Sequence, residues 1–221
     1  MITLRKNKVC AIIPFYNEER FIKEVILKSL KYVDLIIAVN DGSTDRSLEL
    51  IKNIDDVEII LLDRNYGKGM ALKAGFSYAV EMGFEIIITI DADLQHDPDL
   101  IPNFIEQLKN YDFVIGNRKK LFVVMPFHRI LSNFITSFLL SIKLGTKIKD
   151  SQCGFRAYKK KVLEKISIHS SGFEAESEII VKAIKEGFKL GHVDIPTIYG
   201  EEKSKIRPFQ AIKSFLRILF K

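Results

Sequence analysis

The chain has 221 residues, a net charge of +6, 47% apolar and 28% charged side chains. That balance suits one sizeable core and excludes a disordered, fibrous or collagen-like chain. Two cysteines, Cys10 and Cys153, exclude a disulfide framework and point to a reducing compartment, and the positive charge points to an anionic partner: nucleic acid, a membrane surface or a phosphorylated substrate.

In chain order, apolar and β-branched runs at Val9–Ile13, Leu35–Val39, Val57–Leu62, Ile86–Ile90 and Phe113–Ile115 predict five strands. Segments of helical periodicity lie between them, at Glu19–Tyr32, Ser43–Asn53, Gly69–Met82 and Pro98–Lys109. Continuous rather than alternating apolar strands imply a sheet buried on both faces, hence mainly parallel and flanked by helices. The rhythm then breaks. Arg118–Pro126 reads as a loop, Phe127–Leu144 as a Phe-, Ile- and Leu-rich helix, and Asp150–Tyr158 as irregular. Glu174–Glu186 reads as a helix, Leu190–Ile195 as a strand, Tyr199–Pro208 as a charged loop and Phe209–Phe220 as an amphipathic helix. No shift in composition divides the chain, so residues 1–221 are expected to form one α/β domain, with a ligand-binding half to about residue 117 and a second half from 118. The longest apolar run, Ile86–Ile90, is far too short to span a bilayer, and the apolar stretch near the N-terminus runs into Pro14, unlike a secretory signal.

Ligands of an open parallel sheet bind beyond the carboxyl ends of its strands. Polar residues gather there: Pro14-Phe15-Tyr16-Asn17-Glu18-Glu19 after the first strand, Asn40-Asp41-Gly42-Ser43-Thr44-Asp45 after the second, Asp91-Ala92-Asp93-Leu94-Gln95-His96 after the fourth and Gly116-Asn117-Arg118 at the fifth. Asp91 and Asp93 at the mouth of a buried strand repel each other unless a cation neutralises them. Hard ions such as Mg²⁺ or Mn²⁺ take one or two carboxylates plus substrate phosphates. Gln95 continues the alternation and offers an amide oxygen, while Asp97 reads as a helix cap before Pro98. Asp41 reads either as an acceptor for a base or ribose or as a turn residue, with Ser43 or Thr44 as a cap. Asn65-Tyr66-Gly67-Lys68-Gly69 reads either as a glycine-rich start of a helix or as a nucleotide contact through Lys68; it lacks the spacing of a phosphate loop. Arg118 lies on the ligand rim. Arg129 and Ser132, one turn apart, offer a guanidinium beside a hydroxyl, a seat for phosphate or a solvated face. Cys153 reads as packed, and His96, His128, His169 and His192 as structural or surface. The Phe127–Leu144 and Phe209–Phe220 helices read as docked elements or as interfacial helices on anionic lipid.

Taken together, the runs Pro14–Glu18, Asn40–Asp45, Asn65–Gly69, Asp91–Pro98 and Asp150–Arg156 resemble the family 2 glycosyltransferases of GT-A fold, nearest the dolichyl- or polyprenyl-phosphate sugar synthase branch. The likeness runs from about Val9 to Arg207. It implies an enzyme that moves a sugar from a nucleotide diphosphate (GDP-mannose or UDP-glucose type) to a polyprenyl phosphate, with Mg²⁺ or Mn²⁺ as cofactor and no nucleic-acid partner. Pro14, Tyr16, Glu18 and Asp41 would hold the nucleoside; Asp91, Ala92, Asp93 and Gln95 the metal and diphosphate; Lys68 and Arg118 would touch the donor. Arg129 and Ser132 would hold the acceptor phosphate, and Lys205 and Arg207 lie in a loop expected to close over the donor. Some members carry C-terminal transmembrane helices; this chain ends without them, which implies peripheral attachment to the cytoplasmic face of a membrane. The expected chemistry is a single inverting displacement without a catalytic base, Glu178 being the rival base. Three other readings are a glycan or protein acceptor, a phosphotransferase of the haloacid dehalogenase type, whose acidic pair belongs after the first strand, and a basic surface-binding module, which leaves the acidic rim unexplained.

Overall fold

The computed structural model describes residues 8–119 and 127–196. Seven strands form one sheet in the order β3-β2-β1-β4-β6-β5-β7. Strands β1 (Val9–Phe15), β2 (Leu35–Asp41), β3 (Val57–Leu62) and β4 (Ile86–Thr89) pair in parallel, as do β5 (Phe113–Lys119) and β7 (Leu190–Pro196). The reason is legible in the residues: β1 and β4 are buried along their whole length, and such strands need helices on both faces. The helices are α1 (Ile22–Ser29), α2 (Ser47–Ile51), α3 (Lys68–Glu81), α4 (Ile101–Gln107), α5 (Phe127–Leu144), α6 (Lys160–Lys165) and α7 (Ala175–Lys185), with a 3₁₀ turn at Pro98–Leu100. One continuous apolar core runs across the sheet.

The architecture is the α/β, mainly parallel, helix-flanked sheet that the pattern predicts, with local corrections. The span 150–158, expected to be irregular, ends in strand β6 (Arg156–Lys159), which runs antiparallel between β4 and β5. Four residues opposite Ile86–Thr89 are too few for periodicity to reveal; the pairing across 70 residues makes them a strand. Arg118 and Lys119, expected in a loop, continue β5 because β7 pairs with them. Helix α2 starts later than expected, since neither Ser43 nor Thr44 caps it. The Ser43 hydroxyl accepts from the Asn17 amide (3.0 Å), and the cap-like bond comes from Asp45, which takes the Ser47 amide at 3.0 Å. Asp97 caps as predicted, accepting from the Asp99 amide at 3.0 Å ahead of Pro98. The expected Phe209–Phe220 helix and the charged loop before it lie outside the described residues.

Helix α5 is amphipathic in an unusual sense. Toward the protein it buries Asn133 and Ser137 with Ile130 and Leu140; outward it shows Leu131, Phe134, Ile135, Phe138 and Ile142. Phe134 and Ile142 are 66% and 64% exposed.

Candidate active site

The parallel strands β1, β2, β4 and β5 all end on one edge, and antiparallel β6 begins there. The loops after β1 and β2 are laced together. The Asn17 backbone is left-handed (φ 55°), and its side-chain oxygen accepts the Thr44 amide at 2.8 Å. The Glu18 amide donates to Ser47 Oγ (2.8 Å) and the Glu19 amide to Asp45 (3.1 Å). Pro14 is buried within β1, and Tyr16 and Glu18 are half-buried in this lacing. The buried Asp41 carboxylate accepts the Tyr66 and Gly67 amides at 2.8 and 2.9 Å, joining the end of β2 to the start of α3. The Gly69 amide meets the Ser171 carbonyl at 2.7 Å, and a Cβ on Gly69 would collide with the 170–171 backbone. The glycine thus serves close approach of that loop. These amides are engaged within the protein, and the charged group that α3 presents to the rim is Lys68.

At the mouth of β4, the Lys68 ammonium lies 2.5 Å from Asp91 Oδ1 and 2.8 Å from Glu176 Oε1 on α7. Burial opposes charge on both Asp91 and Lys68. The pairing wins: Lys68 and His96 hold the Asp91 carboxyl well below the usual carboxylate range, and Asp91 and Glu176 hold Lys68 above the usual lysine value. Asp93 is different, because burial and then the Asp91 charge push its carboxyl up. Asp91, Asp93 and Gln95 do not continue a strand. The chain turns after Thr89, Leu94 is left-handed (φ 58°), and Asp93 Oδ1 accepts the Gln95 amide at 3.1 Å. A turn rather than extended alternation is what gathers them, with Ala92 buried beneath.

Strand β6 brings the 150–156 run to this spot. Thr89 pairs with Arg156, the Thr89 hydroxyl donates to the Gly154 carbonyl at 2.8 Å, and a Cβ on Gly154 would overlap the Asp91 carboxylate. Fully buried Arg156 donates to the carbonyls of Cys153, Glu176 and Ser151 at 2.7–2.8 Å. His96, 4% exposed, places Nε2 3.6 Å from Asp91 Oδ2, while its Nδ1 is buried with no hydrogen-bond partner among the described residues. Cys153 is packed as expected, its thiol pushed up by burial to about 12.

The donor set fits a hard divalent cation. Asp91 and Asp93 are oxygen ligands, half-buried and at close quarters, and of the two Asp93 has no ion-pair partner of its own at this rim among the described residues. Among the described residues no three His, Cys, Asp or Glu side chains converge as a complete metal cage.

Arg118 lies farther along the rim, in a two-pronged pair with buried Asp150 (2.6 and 2.9 Å), which also accepts from Asn133 at 2.9 Å. Its guanidinium is therefore engaged within the protein rather than held open. Ser132 is exposed on α5, and its carbonyl accepts the Thr136 hydroxyl at 2.9 Å. The Arg129 side chain, Lys205 and Arg207 lie outside the described residues. Glu178 accepts the His169 and Ser170 amides and pairs with Lys182 at 2.6 Å. Burial opposes its charge, but Lys182 and those amides bring its carboxyl down to about 2, and the contacts tie it to the 169–170 backbone. The residues that sequence reasoning missed are Glu176, His96, Asp150 and Arg156. His96, Asp150 and Arg156 all stood within runs quoted for their resemblance, His96 being read as structural or surface, but Glu176 had no signal apart from its place on an amphipathic helix.

A family model described as glycosyl transferase family 2 matches residues 10–167. A UDP-N-acetylglucosamine–dolichyl-phosphate N-acetylglucosaminyltransferase of Methanococcus voltae is 35% identical over 215 residues, covering 86% of this chain and 85% of that one. An undecaprenyl-phosphate 4-deoxy-4-formamido-L-arabinose transferase of Proteus mirabilis is 33% identical over 176 residues, covering 74% of this chain and 53% of that one. Glucosyl-3-phosphoglycerate synthase of Mycobacterium tuberculosis, solved with Mn²⁺, uridine diphosphate and phosphoglyceric acid, has a TM-score of 0.75 at 17% identity, over 97% of this chain and 79% of that one, a likeness of fold. A sheet with an acidic mouth at β4, matched by a family model over more than two thirds of its length, leaves one assignment: the chain is a glycosyltransferase and belongs to glycosyl transferase family 2.

Proposed function

We propose that the protein transfers a sugar from a nucleoside diphosphate to a polyprenyl phosphate at the cytoplasmic face of a membrane. The observation that carries this is the pair of carboxylates at the mouth of β4, Asp91 and Asp93, of which Asp91 is paired with the Lys68 ammonium and Asp93 makes no ion pair among the described residues. The polyprenyl acceptor is supported by the 35% identity with a dolichyl-phosphate transferase along most of both chains.

In this reading Asp93, Asp91 and Gln95 hold Mn²⁺ or Mg²⁺, which when bound neutralises charge on the departing diphosphate as a Lewis acid. Pro14 and Asp41, at the ends of β1 and β2, and Tyr16 and Glu18, in the laced loop after β1, form the nucleoside side. Arg129 and Ser132 seat the acceptor phosphate, and Lys205 and Arg207 close over the donor. A phosphate monoester has its second pKa at about 6 and is already anionic near neutrality. Its oxygen needs orientation rather than deprotonation, so single displacement with inversion requires no base. The state of Glu178, held at about 2 by Lys182 and two amides, supports this. The outward row Phe134, Ile135, Phe138 and Ile142 on α5 supports lipid contact, because it exposes apolar surface beside a polar inner face. Among the described residues no helix is long and apolar enough to cross a membrane.

The test is a thermal-shift panel of nucleotide sugars with and without Mn²⁺, since a ligand that binds the folded state raises the melting temperature. UDP-N-acetylglucosamine, GDP-mannose and UDP-glucose are the first three donors. The donor so found is then offered to a polyprenyl phosphate, and a lipid-linked sugar is the expected product. No donor shifting the melt with Mn²⁺, together with no lipid product, overturns the reading.

A further inference from the structure

Lys68 is the residue whose position the transfer reaction alone leaves unexplained. It starts α3, yet its side chain reaches across to two carboxylates from different elements, Asp91 at 2.5 Å and Glu176 at 2.8 Å, and is only 14% exposed. Burying an ammonium is costly unless it is paired, so this is a built arrangement. Its backbone is pinned as well, since Ser171 accepts the next two amides, those of Gly69 and Met70. Only the side chain is left to move.

We propose that Lys68 is an internal counter-ion occupying the electrostatic place of the metal: it neutralises Asp91 until a divalent cation and a diphosphate arrive together, then yields Asp91 to the metal and turns its ammonium to the diphosphate while Glu176 keeps it at the rim. The inference rests on reading the mouth of β4 as a metal–diphosphate site.

Three charges set up the exchange. A cation on Asp91 meets an ammonium already in contact with that carboxylate, so metal alone binds against repulsion. A diphosphate alone meets Asp91 and Asp93. When both arrive, the metal answers the carboxylates and the diphosphate answers Lys68. Glu176 makes the release local. With its second carboxylate in place, Lys68 is shared rather than wholly committed to Asp91, and Arg156, 3.9 Å from Glu176 Oε2, with its Nη1 donating to the Glu176 carbonyl, holds α7 against β6. Metal and nucleotide are thereby coupled, and the coupling is reciprocal.

The experiment reads binding without turnover. Mn²⁺ is titrated into the full chain by electron paramagnetic resonance, alone and with UDP or GDP, for the wild type, Lys68→Met, Glu176→Gln and the double variant. Nucleotide is expected to tighten Mn²⁺ binding to the wild type about tenfold or more. Lys68→Met is expected to bind Mn²⁺ alone about tenfold more tightly than the wild type and to lose most of the gain from nucleotide. Glu176→Gln leaves Lys68 wholly to Asp91 and should weaken Mn²⁺ alone several-fold, an effect that vanishes in the Lys68→Met background. Should Lys68→Met fail to fold, Glu176→Gln still decides, because unchanged or tighter Mn²⁺ binding there overturns the proposal. Unchanged or weaker Mn²⁺ binding by folded Lys68→Met, or additive effects in the double variant, overturn it too. If the wild type binds Mn²⁺ no better than Asp93→Ala with either nucleotide, the metal–diphosphate reading itself is wrong; that outcome is distinct from a wild type that binds normally beside variants that do not differ.

Discussion

Helices α3 and α5 solve opposite problems. Helix α3 buries Ala71, Leu72, Phe76 and Ala79 against the sheet, as a surface helix of an α/β domain should. Helix α5 turns Asn133 and Ser137 inward, to Asp150 and Ser151, and leaves Phe134, Phe138 and Ile142 outside. The same contrast holds for charge. The two cations, Lys68 and Arg118, are about equally enclosed, but near α3 the acid paired with the cation, Asp91, keeps 27% of its side chain exposed. Behind α5 the Arg118–Asp150 pair is closed off, with Asp150 1% exposed. At the mouth of β4 the charges are answered by the protein's own residues, whereas α5 turns apolar side chains to water.

The largest effect should come from the rim. Asp93→Ala is expected to lower kcat roughly 10³–10⁴-fold, about 4–5 kcal/mol of transition-state stabilisation. Burial and Asp91 push this carboxyl up, so its charge works against folding, and the melting temperature should hold or rise. A clear fall in melting temperature would mean that Asp93 is structural and would erase the contrast with Arg118. There the expectation reverses. Arg118→Ala leaves Asp150 buried and unpaired and should cost about 3–5 kcal/mol of stability by denaturant unfolding. Retained stability with a raised donor KM would instead return Arg118 to the donor.

The exposed side of α5 comes next. Phe134→Ser combined with Phe138→Ser should weaken binding to anionic liposomes roughly tenfold per residue, about 1–2 kcal/mol each for partly buried rings, without loss of stability. Unchanged liposome flotation would show that this face serves something other than lipid. The smallest change is expected at Glu178. Glu178→Gln should cost about 1–2 kcal/mol of stability through weakened hydrogen bonds to His169, Ser170 and Lys182, with turnover nearly intact. The folded carboxyl lies at about 2 against 4.5 for the free group. Its stabilising contribution is therefore complete above pH 4.5 and is lost as pH falls from there toward 2, a loss that the Gln variant should not show.

Sequence alone determined the parallel half of the sheet, the acidic mouth of β4, the Asp97–Pro98 cap and the extent of α5, because each is written in local pattern. A run of β-branched residues, a cap before a proline and a helical period all act over a few neighbouring residues. Tertiary structure decided the rest. The four residues of β6 are a strand only because Ile86–Thr89 and Phe113–Ile115 pair with them. That insertion carries Gly154 onto Asp91 and makes neighbours of residues some 60 positions apart. Asp41, a turn residue or a ligand by sequence, accepts amides from the start of α3, and Lys68 chooses Asp91 and Glu176. Charged side chains carry no periodic mark of their partners. Coulomb attraction acts through space rather than along the chain, so which carboxylate meets which cation is settled only when the sheet brings them together.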